Sequence, residues 1–348
     1  AARREEERAR REAGAAPGGA TGSRLLTGHS AYYAEVEAFV TRFYRGQSGL
    51  LFNSGFDLNL GLFACLAQGG DLVLFDELMH SSVREGLRLS RARSAAFRHN
   101  DAADLEAHLR GIEPGFAGCV IVAVESVYSM DGHCAPLREM SALCRRYGAC
   151  LVVDEAHGVG VFGHGGRGLV EELGLCDEVF CRVNTFGKAV GAHGAVLLGP
   201  PVLREYMLNY CRPLIYSTAM PTHALAAIKA AHEFLDRHAE ARQRRLRDLV
   251  AAFQAGLAAA PALAARALAS PSAIQGVVVP GNANVIAFAE RLQRQGLDAM
   301  PIRSPTVPAG TERVRIILHA HNTDEELARL LAALAAEVAP PSPLRAAL

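Results

Sequence analysis

The chain has 348 residues, half of them hydrophobic and only 6% aromatic, which excludes a disordered polymer and gives room for two packed units of an α/β protein. Its 36 Lys and Arg balance 36 Asp and Glu, so no global field selects nucleic acid or an anionic membrane, and a small-molecule partner is expected. Eight cysteines (Cys65, Cys119, Cys134, Cys144, Cys150, Cys176, Cys181 and Cys211) contain no CxxC pair, and the apolar runs fall well short of the roughly 18 residues of a membrane helix. Reduced thiols in the cytoplasm are expected, an organelle being the alternative, with no metal cluster and no membrane span.

Residues 1–28 read as an N-terminal arm and linker. Glu6 faces Arg10 and Glu7 faces Arg11 at i,i+4 spacing, as in a solvated helix, and these glutamates argue against a mitochondrial presequence. The first residue is not methionine, so the natural start is expected upstream. A Gly/Pro/Ala linker at 13–22 follows. Beyond it, strand LLF (50–52) precedes LVLF (72–75), a helix SSVREGLRLSRA, CVIVAV (119–124), a helix LREMSALCRRYG and CLVV (150–153). Apolar strands separated by amphipathic helices predict βαβ units and a mostly parallel sheet covered on both faces. EVFCRV (178–183) and GAVLLG (194–199) add two strands, and an Ala/Leu/Arg-rich helical region covers about 221–268. Strand AIQGVVV, helix NANVIAFAERLQRQG, strand VRIIL (314–318) and helix TDEELARLLAALAAEV then predict a smaller C-terminal α+β domain. The expected division is 29–232 for the large domain and 233–348 for the small one.

CLVV ends at Asp154, followed by Glu155, Ala156, His157 and the loop GVGVFGHGGRG. Ligands bind outside the carboxyl ends of strands in such sheets, so Asp154 and His157 stand where a site is expected. Three readings compete. A DEAH metal box requires an earlier GxxxxGK[ST] loop. The Gly187-Lys188 pair comes later, with Arg182 where the first glycine and Ala189 where Ser or Thr should be. Gly158, Gly160 and Gly163 spell GxGxxG, yet four residues separate them from the strand and further glycines follow in place of a helix. The third reading joins Asp154 to Lys188, which lies in the turn between the strands at 178–183 and 194–199. Pyridoxal phosphate uses such a pair: a lysine amine condenses with its aldehyde, and a carboxylate keeps its ring nitrogen protonated. A lysine desolvated beside a cationic cofactor also has its pKa lowered enough to act as a base. On these two residues alone, a surface ion pair remains an open reading.

Words spread over residues 21–337 resemble the α-oxoamine synthase family of fold-type I pyridoxal-phosphate transferases, whose architecture is aspartate-aminotransferase-like. They are TGSRLLTGHS, LFNSGFDLN, DELMHSSVREG, VESVYSMDGHCAPL, VVDEAHGVGVFGHGGRG, VNTFGKAVGAHGAVLLG, LIYSTAMP and PIRSPTVPAGTERVRI. TFGK and IRSPTVPAGT look like the branch that condenses L-alanine with a pimeloyl thioester, carried by coenzyme A or an acyl carrier protein, in biotin synthesis. The resemblance implies that His80 stacks on the pyridine ring and that His157 and Ser129 bond near its phenolic oxygen. It also implies that the amides of Gly55 and Phe56, with the Thr185 hydroxyl, hold the phosphate, an anion that helix N-termini suit. Ser217 and Thr218 would reach the phosphate in a neighbouring subunit, implying a homodimer with shared active sites. Arg303 would grip the amino-acid carboxylate with two parallel hydrogen bonds. Lys188 would remove the Cα proton and His157 would assist at the thioester carbonyl oxygen.

Two departures stand out. The segment with an Asn-Tyr-Leu-type strand that family members carry ahead of the Gly-Ser turn is absent, so either the chain is a fragment or the entrance to its thioester tunnel is remodelled. Tyr33 stands where the family often has histidine. His319 and His321 form an HxH without a third ligand nearby in sequence, which reads as structural. Other readings are an aminotransferase of the same fold, an aminoketobutyrate-type or serine-palmitoyl-type relative, and a non-catalytic partner subunit. The last would normally have lost the lysine, whereas Lys188, Asp154 and His80 are all present.

Overall fold

The computed structural model describes residues 18–338, so the expected helical arm at the start of the chain lies outside the described residues. The chain forms two compact units. One runs through Val127 and resumes at Ala135–Glu240; the other combines Tyr128–Cys134 with residues from Ala241 onward. The division placed at 232/233 from sequence falls inside one continuous helix, Thr222–Ala258.

The first unit is built on seven strands: β1 (Ser48–Phe52), β2 (Leu72–Asp76), β3 (Arg93–Phe97), β4 (Val120–Glu125), β5 (Cys150–Asp154), β6 (Cys181–Thr185) and β7 (Ala195–Gly199). Their order across the sheet is β1-β7-β6-β5-β4-β2-β3. Strands β2 to β6 run parallel, while β7 is antiparallel to both β6 and β1. All six residues of β4 are buried, as a strand covered on both faces requires. Alternation along β1 divides its side chains between two cores. Leu50 and Phe52 join Val73, Ile121, Val152 and Val183 under helices Gly55–Cys65 and Ser81–Leu89. Leu51 joins Val196, Leu198, Val36, Val40 and Ile228 on the opposite side, with helix Ala31–Phe43 and the long helix.

Because β7 alone is reversed, strands β1, β2, β4, β5 and β6 present their carboxyl ends along one edge of the sheet. Ser54, His80, Ser126, Glu155 and Phe186 follow those ends closely, and this edge is where the fold places chemistry. Two features of the sequence reading shift in detail. The strand expected at 178–183 occupies Cys181–Thr185, and the polar edge strand β3 was not anticipated.

The second unit holds a three-stranded antiparallel sheet, β8 (Ile274–Val278), β9 (Met300–Ile302) and β10 (Arg313–Ile317), in the order β8-β10-β9. Helices Asn282–Arg294 and Asp324–Val338 pack on it through Val285, Phe288, Leu292 and Leu334 against Val277, Val314 and Ile316. The segment Tyr128–Cys134 is tied to this unit: Arg315 Nε donates to the Ser129 carbonyl at 2.7 Å and Ser270 Oγ to the Gly132 carbonyl at 3.1 Å. No helix among the described residues is long and apolar enough to cross a membrane.

Candidate active site

At the end of β1, Ser54 caps helix Gly55–Cys65 by accepting from the Asp57 amide at 3.0 Å. The amides of Gly55 and Phe56 lie in the first turn, where helix geometry supplies no intrahelical acceptor. Gly55 also faces Thr185 at the end of β6 so closely that an added Cβ would lie 2.4 Å from Thr185 Cγ2. Thr185 Oγ1 is buried and has no hydrogen-bond partner among the described residues. Two amides after β1 and an orphaned hydroxyl at the end of β6 make a small anion cradle.

Asp154 closes β5, is 4% exposed, and pairs in register with Glu125 on β4 and Val183 on β6. Its Oδ2 accepts from Asn59 Nδ2 at 2.7 Å and its Oδ1 from the Ala156 amide at 2.9 Å. One N–H donor on each oxygen fixes the orientation of the carboxyl group. His80 follows β2 and caps helix Ser81–Leu89, its Nδ1 accepting from the Ser82 amide at 3.2 Å and lying 2.8 Å from Ser82 Oγ. The residue is exposed, yet partial burial of the ring lowers its pKa; Asp154 opposes this and Lys188 reinforces it. The imidazole is therefore neutral at physiological pH. Lys188 stands exposed in the tight loop between β6 and β7, which Phe186 closes by donating to the Gly194 carbonyl at 2.9 Å and accepting from Ala192 at 2.8 Å. The fields of Lys188 and Asp154 on His80, and of both on Glu125, bring these groups into one site.

Glu125 was not singled out from sequence. It is 3% exposed, and its Oε1 accepts the His80 amide at 2.7 Å. Burial pushes its carboxyl well above the usual range; Asp154 adds to the rise, and Lys188 and the His80 amide oppose it. Asn59 and Ser82 were likewise missed. Both lie in words that carried the resemblance, but a side chain buried on a helix face looks like core until its partners are seen.

The glycine-rich loop serves another residue of the Asp-Glu-Ala-His run. Glu155, fully buried, accepts from Ser126 Oγ at 2.6 Å and from the amides of Leu169 at 3.0 Å and Val170 at 2.6 Å. An added Cβ at Gly158 would lie 2.0 Å from Glu155 Oε2, and one at Gly168 2.8 Å from its carboxyl carbon. Gly158 and Gly168 thus make room for a buried carboxylate, while Gly160, at φ 80°, packs against Ala189, where an added Cβ would lie 2.7 Å from Ala189 Cβ. His157 is half-buried at the head of this loop.

The remaining expected residues are carried by other elements. Ser217 and Thr218 follow helix Arg212–Ile215, where Thr218 bridges to Ser23 and its carbonyl accepts from Asn53 Nδ2 at 2.9 Å. Ser129 and Arg303 belong to the second unit. Arg303 is exposed after β9, and the next residue, Ser304, is clamped by Asn282, which accepts from its amide at 3.0 Å and donates to its carbonyl at 3.3 Å. Tyr33 is buried, with its hydroxyl donating to the Leu51 carbonyl at 3.3 Å and Arg24 over its ring at 4.6 Å.

The family model described as aminotransferase class I and II matches residues 3–334. A relative from Emericella nidulans named 8-amino-7-oxononanoate synthase is 44% identical over 327 residues, spanning 90% of this chain and 79% of the relative. One of the same name from Marinobacter nauticus is 39% identical over 318 residues, spanning 91% and 79%. The chain belongs to the α-oxoamine synthase family. Among solved structures, a serine palmitoyltransferase of S. paucimobilis with PLP and myriocin bound superposes on this α-oxoamine synthase with a TM-score of 0.86 at 32% identity, covering 92% of this chain and 79% of that one. As a family member, the chain is a fold-type I enzyme that uses pyridoxal phosphate. Its residues fit that cofactor: the orphaned Thr185 hydroxyl and the helix amides suit a phosphate, and the carboxylate of Asp154 suits a protonated pyridine nitrogen.

Proposed function

We propose that this α-oxoamine synthase catalyses the decarboxylative condensation of L-alanine with a pimeloyl thioester, giving 8-amino-7-oxononanoate, carbon dioxide and free thiol. What supports this reading most is similarity to synthases of that name across nine-tenths of the chain, with Lys188, Asp154 and His80 gathered at one sheet edge. The bound cofactor supplies an electron sink for the carbanion that loss of the alanine Cα proton creates. Asp154 would hold the positive charge at the ring nitrogen, the Gly55 and Phe56 amides and the Thr185 hydroxyl would hold the phosphate, and the neutral His80 would stack on the ring. The Lys188 amine takes the Cα proton and returns one to the product, a role that general base catalysis values at roughly 10² to 10⁴ in rate. The roles of Arg303 on the alanine carboxylate, of Ser129 at the cofactor, and of His157 at the thioester oxygen rest on the family resemblance. Leu26 and Tyr216, 83% and 75% exposed near the Ser23–Thr218 bridge, favour a homodimer in which Ser217 and Thr218 serve the partner's site. The large unit is then the cofactor-binding domain.

The test is a visible spectrum of the purified protein with pyridoxal phosphate, then L-alanine, then pimeloyl-CoA, while thiol release is followed. The expected result is a cofactor band that shifts with alanine and thiol release on adding the thioester. An alanine response without thiol release would overturn the pimeloyl assignment. The likeness to serine palmitoyltransferase favours a second reading, and L-serine with palmitoyl-CoA in the same assay separates the two.

A further inference from the structure

The side chain of Asn59 joins two groups that the proposed mechanism uses separately. One amide hydrogen goes to Asp154 Oδ2 at 2.7 Å and the other to Ser82 Oγ at 3.1 Å, while Asn59 Oδ1, also buried, has no partner among the described residues. The orientation is settled chemically: a carboxylate only accepts, so turning the amide over would set its oxygen against Asp154. Ser82 Oγ, having accepted from Asn59, has its own hydrogen for His80 Nδ1, 2.8 Å away. The Ser82 backbone amide, a donor only, points at the same nitrogen at 3.2 Å. Two donors converging on Nδ1 leave the imidazole proton on Nε2, and every bond in the chain Asp154, Asn59, Ser82, His80 then has a fixed direction. Asn59 is 2% exposed and Ser82 1% exposed, so water does not substitute for either.

We propose that Asn59 and Ser82 are positioning residues that hold His80 as the neutral Nε2–H tautomer and fix the orientation of the Asp154 side chain, setting both groups for the cofactor through one directed hydrogen-bond chain. The purpose of the chain rests on the functional reading above, but the chain itself does not. Protonating Nδ1 would force the Ser82 hydroxyl to turn and would set a new N–H against the Ser82 amide, so the network opposes the imidazolium. The charged groups that act on the His80 ring from neighbouring elements are Asp154 on β5 and Lys188 on the β6–β7 loop; Glu125 on β4, its carboxyl pushed up by burial, takes the His80 backbone amide, and Asp76 on β2 acts on Glu125 in turn.

The experiment measures the pH profile of diethylpyrocarbonate modification of His80 by peptide mass spectrometry. It uses the full chain before cofactor is added, in wild type, Ser82→Ala, Ser82→Thr and Asn59→Leu. Because the reagent attacks only neutral imidazole, the midpoint of each profile reports protonation of His80. The midpoint should rise by about 0.5 to 1 in pH in Ser82→Ala and Asn59→Leu, as loss of one net hydrogen bond implies, and stay at the wild-type position in Ser82→Thr, which keeps the hydroxyl. Unchanged midpoints in Ser82→Ala and in Asn59→Leu would overturn the proposal, as would Ser82→Thr behaving like Ser82→Ala. Circular dichroism identifies a variant that has lost its fold, and the serine pair then decides if Asn59→Leu is lost. The readout needs neither cofactor nor acyl donor, so failure of the pimeloyl reading would appear in thiol release and leave this result standing.

Discussion

At the scale of single residues, the site depends on two opposite charges set at neighbouring strand ends. Asp154 is fixed by donors on both oxygens, whereas Lys188 is exposed on a loop whose backbone Phe186 pins. Lys188→Ala should therefore leave folding intact, abolish the absorption band of lysine-bound cofactor, and lower thiol release by at least about 10². A persisting band would move the attachment point to another lysine. Asp154→Asn keeps the shape but removes the charge that stabilises a protonated ring nitrogen. Exchange of the alanine Cα proton with deuterated solvent should fall by about 10², as for loss of one preorganised electrostatic partner, and retention of the wild-type rate would show that another group holds the ring proton. Both residues were singled out in the sequence by their places at strand ends, but that alone left a surface ion pair open, and it was the surrounding words that favoured a cofactor site. Asn59, Ser82 and Glu125 were not, since polar side chains inside amphipathic patterns declare their partners only in three dimensions.

At the scale of elements, strands buried on both faces were the readable part: β2, β4 and β5 are continuous apolar runs between helices, and β7 is one between a tight loop and a helix. Strand β3, Arg93–Phe97, escaped because it is an edge strand with mostly open side chains, so neither alternation nor an apolar run marks it. The segment Arg24–Gly28, read as linker, is anchored. Arg24 is 5% exposed and its two terminal nitrogens meet the Glu37 carboxylate at 2.6 and 2.7 Å. Burial alone would raise the Glu37 carboxyl, but Arg24, the Leu51 amide and Arg204 together hold it below its usual range. Arg24→Ala would leave that buried charge with a half-exposed arginine and one amide, and should cost about 3 kcal/mol in denaturant unfolding. An unchanged midpoint would mean the pair breaks even against its desolvation. Gly55→Ala tests the cradle instead. The added methyl has to displace Thr185 or the helix start, an overpacking cost of about 1 to 3 kcal/mol, so the cofactor dissociation constant should rise about tenfold in an absorbance titration. Equal affinity would place the phosphate elsewhere.

At the scale of the whole molecule, the long helix Thr222–Ala258 supports the Lys188 loop from behind through a histidine that takes no part in the chemistry. His232 is completely buried, its ring 4.9 Å from Phe186 in an edge-on contact and similarly packed on Phe43 and Tyr44. Its Nδ1 lies 2.7 Å from the Ile228 carbonyl and so carries the proton, while Nε2 accepts from the Tyr44 hydroxyl at 3.0 Å. Burial lowers its pKa from 6.5 to about 4, opposed by the bond to Ile228. Above pH 6.5 the side chain is neutral folded or unfolded, and the full stability is present. Between 6.5 and 4 the unfolded chain takes up a proton that the folded one refuses, so stability falls as pH falls, by about 3 kcal/mol in total, and this contribution levels off below 4. Denaturant unfolding from pH 7.5 to 4.5 should show that loss in the wild type and a flatter dependence in His232→Gln, which cannot titrate, even though the variant starts from lower stability. Parallel curves would show that the acid sensitivity comes from other groups and that His232 reaches water before the fold opens.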